Sequence, residues 1–157
     1  MSATSTSSPP VPGPQGPLTG SEGPLVDLGL SRLSFAAGIP GFPQAKSFAL
    51  KPWGGERSPF CVLDCQDLLG LRFVAVDPAV FFPSYQPHFG VDVYRAIDAA
   101  GPDELCLLVI LTLRSKVEDT TANLLGPVVV NAHTGQAVQA VLSGAGYDSQ
   151  VPLRSRA

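Results

Sequence analysis

Apolar residues fall into short runs of period two, separated by turn residues. The clearest pair flanks Asn131-Ala132-His133-Thr134-Gly135. Val128, Val129 and Val130 precede it, and Gln136, Val138, Ala140 and Leu142 alternate with Ala137, Gln139 and Val141 after it. β-Branched residues and a two-residue period suit a pleated ladder, so residues 120–142 predict an antiparallel hairpin. Pro127 has no N–H for the ladder and should open the first strand or lie at an edge, while Gly135 can take the positive φ of a tight reversal. A hairpin with an apolar face is not stable alone in water, so it requires further strands to cover it.

Those strands are legible along the chain. Residues 25–35, with Leu28, Leu30, Leu33 and Phe35, predict a bent or interrupted first strand, ended by the turn Gly38-Ile39-Pro40-Gly41-Phe42-Pro43. Residues 45–50, 60–64 and 71–77 predict three more, bounded by turn residues, with Phe48 and Leu50 on one face of the first of them. Residues 105–113, LCLLVILTL, are near-continuously apolar and predict the central, most buried strand. One short helix is predicted over residues 91–100, with Val91, Tyr94 and Ile97 on one face and Gly101-Pro102 as its stop. Between strands and helix, Phe81, Phe82, Tyr85 and Phe89 are mixed with Pro83 and Pro87. These rings either plug one end of a small barrel or form an aromatic docking surface. At least six strand-like runs at short spacing favour closure over exposed edges. The fold class is therefore mainly β: a small antiparallel β-barrel-like domain with one short helix.

Composition adds a boundary. Residues 1–24 are Ser, Thr, Pro and Gly with the single charge Glu22, too little apolar surface to offset the entropy of ordering. They are expected to be a disordered leader acting as a tether before a folded domain at residues 25–154. Within the 157 residues, 45% hydrophobic and 15% charged content argues for a folded, apolar body, and 16 Pro with 16 Gly argue for many turns. The net charge of −3 disfavours nucleic acid and anionic membranes, which require a basic stripe, and points to a protein partner. The N-terminus carries neither the basic nor the apolar region of a signal peptide, and the apolar run at 105–111 is too short to span a bilayer. A cytoplasmic monomer is expected, with Cys61, Cys65 and Cys106 as reduced core thiols.

The inventory for catalysis is poor. There are two histidines, His88 and His133; Cys61-x3-Cys65 lacks a second metal pair; and a Cys65–His88 nucleophile would require a meeting that nothing in the spacing supplies. Phosphate-loop, dinucleotide and nucleophile-elbow patterns are absent from the sequence. No enzyme activity, cofactor or metal is expected. Across the middle of the chain, Asp64, Asp67, Asp77, Asp92, Asp98, Asp103 and Glu104 outnumber Arg72 and Arg95, which makes either a solvated face or a docking surface for a basic partner.

A set of short motifs in fixed order carries a resemblance: Gly38-Ile39-Pro40-Gly41-Phe42, Phe48 with Leu50, Pro59-Phe60, Asp77-Pro78 with Phe81-Phe82-Pro83 and Tyr85, Thr121-Ala122-Asn123-Leu124, Pro127-Val128-Val129-Val130-Asn131, and Tyr147 with Pro152-Leu153. Over about residues 25–154 this pattern resembles the flagellar assembly factor family FliW. It departs from that pattern in its Pro/Ser-rich leader, in Ser84, where an acidic residue commonly precedes the tyrosine, and in Cys65. The resemblance implies a non-enzymatic β-barrel-like protein that binds flagellin in the cytoplasm and, in hosts that have it, the translational regulator CsrA, relieving repression of flagellin translation. The candidate partner-binding residues are Asp77, Phe81, Phe82, Tyr85, Asp92, Asp98, Asn123 and Asn131. Two other readings stay open: a flagellin chaperone without CsrA, and a small β-barrel enzyme or ligand carrier with a pocket near residues 78–89.

Overall fold

The computed structural model describes residues 30–54 and 58–153; the leader and the opening of the expected first strand, residues 25–29, lie outside the described residues. Nine strands and one α-helix follow in the order β1 (Arg32–Phe35), β2 (Ser47–Pro52), β3 (Phe60–Cys65), β4 (Arg72–Val76), α1 (Val91–Ala96), β5 (Leu105–Thr112), β6 (Thr121–Ala122), β7 (Val128–Asn131), β8 (Gln136–Gln139) and β9 (Val151–Pro152). Seven of them form a closed barrel in the order β4-β3-β2-β1-β8-β7-β5, with Ala75 opposite Ile110 and Val76 opposite Val109 where β4 meets β5. The pairings are antiparallel except for β1–β8, which is parallel. Closure leaves no long unpaired edge in the barrel wall.

The expected hairpin is β7–β8. Gly135 turns it with φ +81, and a Cβ there would sit 2.6 Å from the Arg32 carbonyl oxygen, so glycine answers both the backbone conformation and the close passage of β1. Pro127 lies just before β7, where its missing N–H costs no ladder bond, and its carbonyl accepts from Ala140 N. Two short strands were not legible in advance. β6 and β7 both run along β5, with Ala122 opposite Leu111 and Val128 opposite Leu108. Five residues, 123–127, span a gap for which β5 uses two, 109 and 110, so the chain bulges outward there. Side chains and the C-terminal segment hold the bulge: Gly126 N donates to Asn123 Oδ1, and the N–H groups of Leu124 and Leu125 both donate to the Asp148 carbonyl.

The interior is filled by Leu33, Phe35, Phe48, Leu50, Cys61, Leu63, Leu108, Val128 and Val130 among others. Outside the wall lie two further apolar clusters. Val76, Val109, Leu111, Ala122, Leu124 and Leu153 are covered by Phe81, Phe82, Tyr85 and Tyr147, and Val129, Ala140 and Ile97 pack with Phe89, Val93, Leu105 and Leu107. This explains the apolar run in β5. Cys106, Leu108 and Ile110 face inward while Leu105, Leu107, Val109 and Leu111 face covered outer surface, so both rows are apolar. β5 is central, joined to β4, β6 and β7, but it is not the most buried strand: all four residues of β7 are buried, whereas four of the eight in β5 are only partly so.

Two other expectations are corrected. Residues 78–89 do not plug an end of the barrel; Phe81, Phe82 and Tyr85 lie on the outside of its wall, over the Val76–Val109 pair, and Phe89 packs with Ile97 and Val129. The helix also stops four residues early, at Ala96. Asp98 adopts φ +55, and Ala99 N donates back to the Tyr94 carbonyl, closing the last turn. Val91, expected to share a face with Tyr94 and Ile97, is 64% exposed, whereas Ile97 is buried and Val93 packs beside it.

Candidate functional site

Helix α1 stands on the outer wall formed by β5, β7 and β8. Gly90 precedes it in extended conformation, and Asp92 in its first turn with Arg95 in its last complement the helix dipole. Its position is fixed from beneath by Asn131, whose Nδ2 donates to the carbonyls of Ile97 (3.0 Å) and Asp98 (3.2 Å), while Oδ1 accepts from His133 N (2.9 Å). Ala132 N adds a bond to the Glu104 carbonyl, and Glu104 Oε1 accepts from Ala100 N. The hairpin turn, the helix end and the entry to β5 are thus one bonded unit.

Among the described residues three grooves border the helix, one of them lined by Val91, Tyr94, Arg95 and Pro102. Of the other two, the first, of about 490 Å³, runs between Phe89, Asp92, Val93 and Ala96 on one side and the chain from Val138 to Ala145 on the other. The second, also about 490 Å³, is lined by Pro87, Phe89, Tyr94, Pro102, Leu105 and Leu107. His88 touches both. On and next to the helix, Val91 and Val141 are 64% and 59% exposed, and Asp92, Asp98, Asp103 and Arg95 are exposed. Exposed carboxylates beside the largely apolar second groove suit a partner with basic and apolar side chains.

The candidate residues separate into groups. Asp92 and Asp98 belong to this surface. Asn131 does not: it is 2% exposed and its side chain is spent on the fold, so it presents nothing to a partner. Asn123 shapes the β6–β7 bulge. Phe81, Phe82 and Tyr85 are half-buried over the outer cluster; Phe81 stacks near Phe60 at 5.9 Å between centroids, and the Tyr85 hydroxyl donates to the Leu124 carbonyl at 2.6 Å with Tyr147 against its ring at 4.9 Å. Asp77 caps the short 3₁₀ turn Pro78–Val80 by accepting from Ala79 N. Cys65 lies in the barrel interior and His88 on the outer grooves, so the structure does not bring that pair together. Burial pushes the Cys61 thiol up to about 12, and burial with the Asp77 carboxylate pushes Cys106 up to about 11, leaving both protonated at neutral pH. Sequence reasoning missed Val91, Val141, Tyr94 and Pro102 as surface formers. The outward place of Val141 in the alternating row was the available signal.

Asp77 carries a pH prediction. Burial raises its carboxyl above the ordinary carboxylate range, and the Ala79 N–H offsets this in part. A folded pKa above the unfolded one means that the folded state holds the proton more tightly. Its contribution is present below the unfolded value and is lost as pH rises through the folded value. Asp77→Asn keeps a capping oxygen without the charge. Denaturant titrations at pH 4 and pH 7 should therefore show Asp77→Asn gaining on the parent at the higher pH; an equal difference at both would refute this.

The model of the FliW protein family matches residues 27–153. The chain is 34% identical over 116 residues to the flagellar assembly factor FliW of Geobacillus thermodenitrificans (strain NG80-2), covering 74% of this chain and 79% of that protein. It is 34% identical over 119 residues to the protein of the same description from Bacillus subtilis (strain 168), covering 76% and 82% respectively. A crystal structure of the flagellar assembly factor FliW superimposes with a TM-score of 0.72 at 32% identity, covering 78% of this chain and 85% of that one.

Proposed function

The chain belongs to the FliW family of flagellar assembly factors, and from that premise we propose that it binds flagellin in the cytoplasm and, in hosts that have it, CsrA. Flagellin-free protein then holds CsrA and relieves repression of flagellin translation; accumulated flagellin occupies the protein and releases the regulator. The family match over residues 27–153 carries this reading. The surface around α1 supports a protein partner, since exposed carboxylates and valines lie beside one polar and one largely apolar groove.

The test titrates purified flagellin and CsrA separately at two salt concentrations. Of the three aspartates first considered, Asp92 is the one to reverse, with stability measured alongside because a lysine in the first turn of α1 opposes the helix dipole. Asp77 is a cap and Asp98 has positive φ, a conformation that asparagine tolerates, so the variant is Asp92→Lys with Asp98→Asn. It should slow association severalfold at low salt, and the difference should fade once the Debye length falls to about 3 Å near 1 M. Val141→Arg should act on dissociation, costing about tenfold in affinity if that side chain is desolvated at the interface. Absence of flagellin binding by the parent sinks the proposal. Binding of flagellin alone reduces it to a chaperone without CsrA, and parent-like binding by both variants moves the contact off this surface.

A further inference from the structure

The segment that follows β8 lies on the outer wall with most of its length in solvent: residues 143–146 and 148–150 are exposed. Gly144 and Gly146 stand at φ +80 and +85, and a Cβ at either would meet nothing within 4 Å, so the hinge at its start is uncrowded. Beyond the hinge, the Tyr147 ring rests on Tyr85, and the Asp148 carbonyl accepts from Leu124 N and Leu125 N. The two-residue strand β9 then runs along β6, and Leu153, 3% exposed, donates its N–H to the Thr120 carbonyl. A segment tied in this way opens locally at lower cost than the barrel, whose β7 is buried along its whole length. Its opening uncovers the β6 edge and the cluster of Val109, Leu111, Ala122 and Leu124.

β9 leaves part of that seat unsatisfied. Thr121 lies opposite Pro152, and Ala122 opposite Val151. Because Leu153 N bonds to the Thr120 carbonyl, the Thr121–Pro152 pair falls in the non-hydrogen-bonded register, where facing side chains come closest. The Thr121 hydroxyl is buried there with no hydrogen-bond partner among the described residues, and the proline ring opposite has no polar atom to offer it. It therefore carries an uncompensated desolvation penalty. Val151 and Leu153, on the other face of β9, pack with the outer cluster and show that the seat takes an aliphatic side chain on either side of that position. Serine or threonine in the place of Pro152 would reach the Thr121 hydroxyl, since Thr–Thr and Thr–Ser pairs hydrogen-bond across strands. We propose that the β6 edge and the outer cluster beside it form a strand-docking site for an extended partner segment of the pattern aliphatic–Ser/Thr–aliphatic. Such a segment pairs antiparallel with Thr121 and Ala122 by strand addition and displaces residues 147–153, the chain's own occupant of the seat. The site belongs to a different apolar cluster from the α1 surface and does not rest on the partners proposed there.

Hydrogen exchange on the full chain reads the opening: the amides of Leu124, Leu125 and Leu153 should exchange together, at least roughly tenfold faster than the bonded amides of β7. Fluorescent peptides of residues 147–153, one with the native sequence and one with Pro152→Thr, are then titrated into the full chain carrying Leu153→Ala. That change loosens the chain's own segment and leaves the seat on β6 intact. The Pro152→Thr peptide should bind about fivefold more tightly than the native one. Adding Thr121→Val to the chain should erase the difference, because valine keeps the shape and lacks the hydroxyl. In the otherwise native chain, Pro152→Thr should slow exchange of the Leu153 amide severalfold, which tests the pair even where Leu153→Ala fails to fold. The proposal is overturned by equal protection of Leu153 and β7, by peptides that do not bind at about 1 mM or bind with equal affinity, by a threonine advantage that survives Thr121→Val, or by unchanged Leu153 exchange in the Pro152→Thr chain.

Discussion

Replacing Asn131 by leucine should lower the unfolding free energy by about 3 kcal/mol, because one buried and two part-buried backbone groups lose their partner at once. The Asn131 amide holds the Ile97 and Asp98 carbonyls and the His133 N–H, and the residue is 2% exposed, so water cannot take its place at the buried Ile97 carbonyl without opening the structure. Leucine is close in volume, which isolates the polar loss from a cavity. Chemical denaturation measures the effect directly. In thermal melts it corresponds to a drop of roughly 10 °C for a domain of this size. Asn131→Asp is a sharper probe: its carboxylate would face two carbonyl oxygens, so it should be worse at neutral pH than in acid. A loss below about 1 kcal/mol for the leucine variant would mean that α1 is not fixed by this side chain. Its consequence reaches the candidate surface, since Asn131 ties the helix end to the hairpin.

Tyr85→Ala should cost a comparable amount, about 3 kcal/mol, from the ring's burial, its edge contact with Tyr147 and the loss of the bond to Leu124. Tyr85→Phe should cost about 1 kcal/mol, the share of the hydroxyl. Burial, and secondarily Tyr147, holds the Tyr85 hydroxyl above its ordinary range. With the folded value above the unfolded one, this contribution is full below about pH 10 and is lost as pH rises further, a step that Tyr85→Phe should abolish. The ring covers the outer wall, so affinity per folded molecule should change less than about twofold, far short of the loss at a desolvated anchor. Partner titrations beside denaturation separate the two: a large affinity loss at unchanged stability would return Tyr85 to the interface.

Local signals were sufficient for the strands whose two faces differ or whose turns are chemically marked. Leu33 and Phe35, Phe48 and Leu50, and the Asn131–Gly135 reversal were legible because a two-residue period and a glycine at positive φ act over a few residues. The family was legible too, through motifs that turn out to sit at Gly38, the β6–β7 bulge and Tyr147, where the backbone or a ring has few alternatives. Where the sequence fell short, distant residues decided. The end of α1 depends on Asn131, over thirty residues away, capturing the Ile97 and Asp98 carbonyls. The two-residue strands β6 and β9 hold no period of their own; β6 exists because β5 offers an edge, and β9 because β6 offers the next. The aromatic segment covers the wall rather than an end because β4 and β5 present Val76 and Val109 outward. The grooves beside α1 arise from the way a six-residue helix sits across strands that are remote in sequence. Alternation and turn residues specify which positions face which way, but the partner that covers each face is fixed only when the barrel closes.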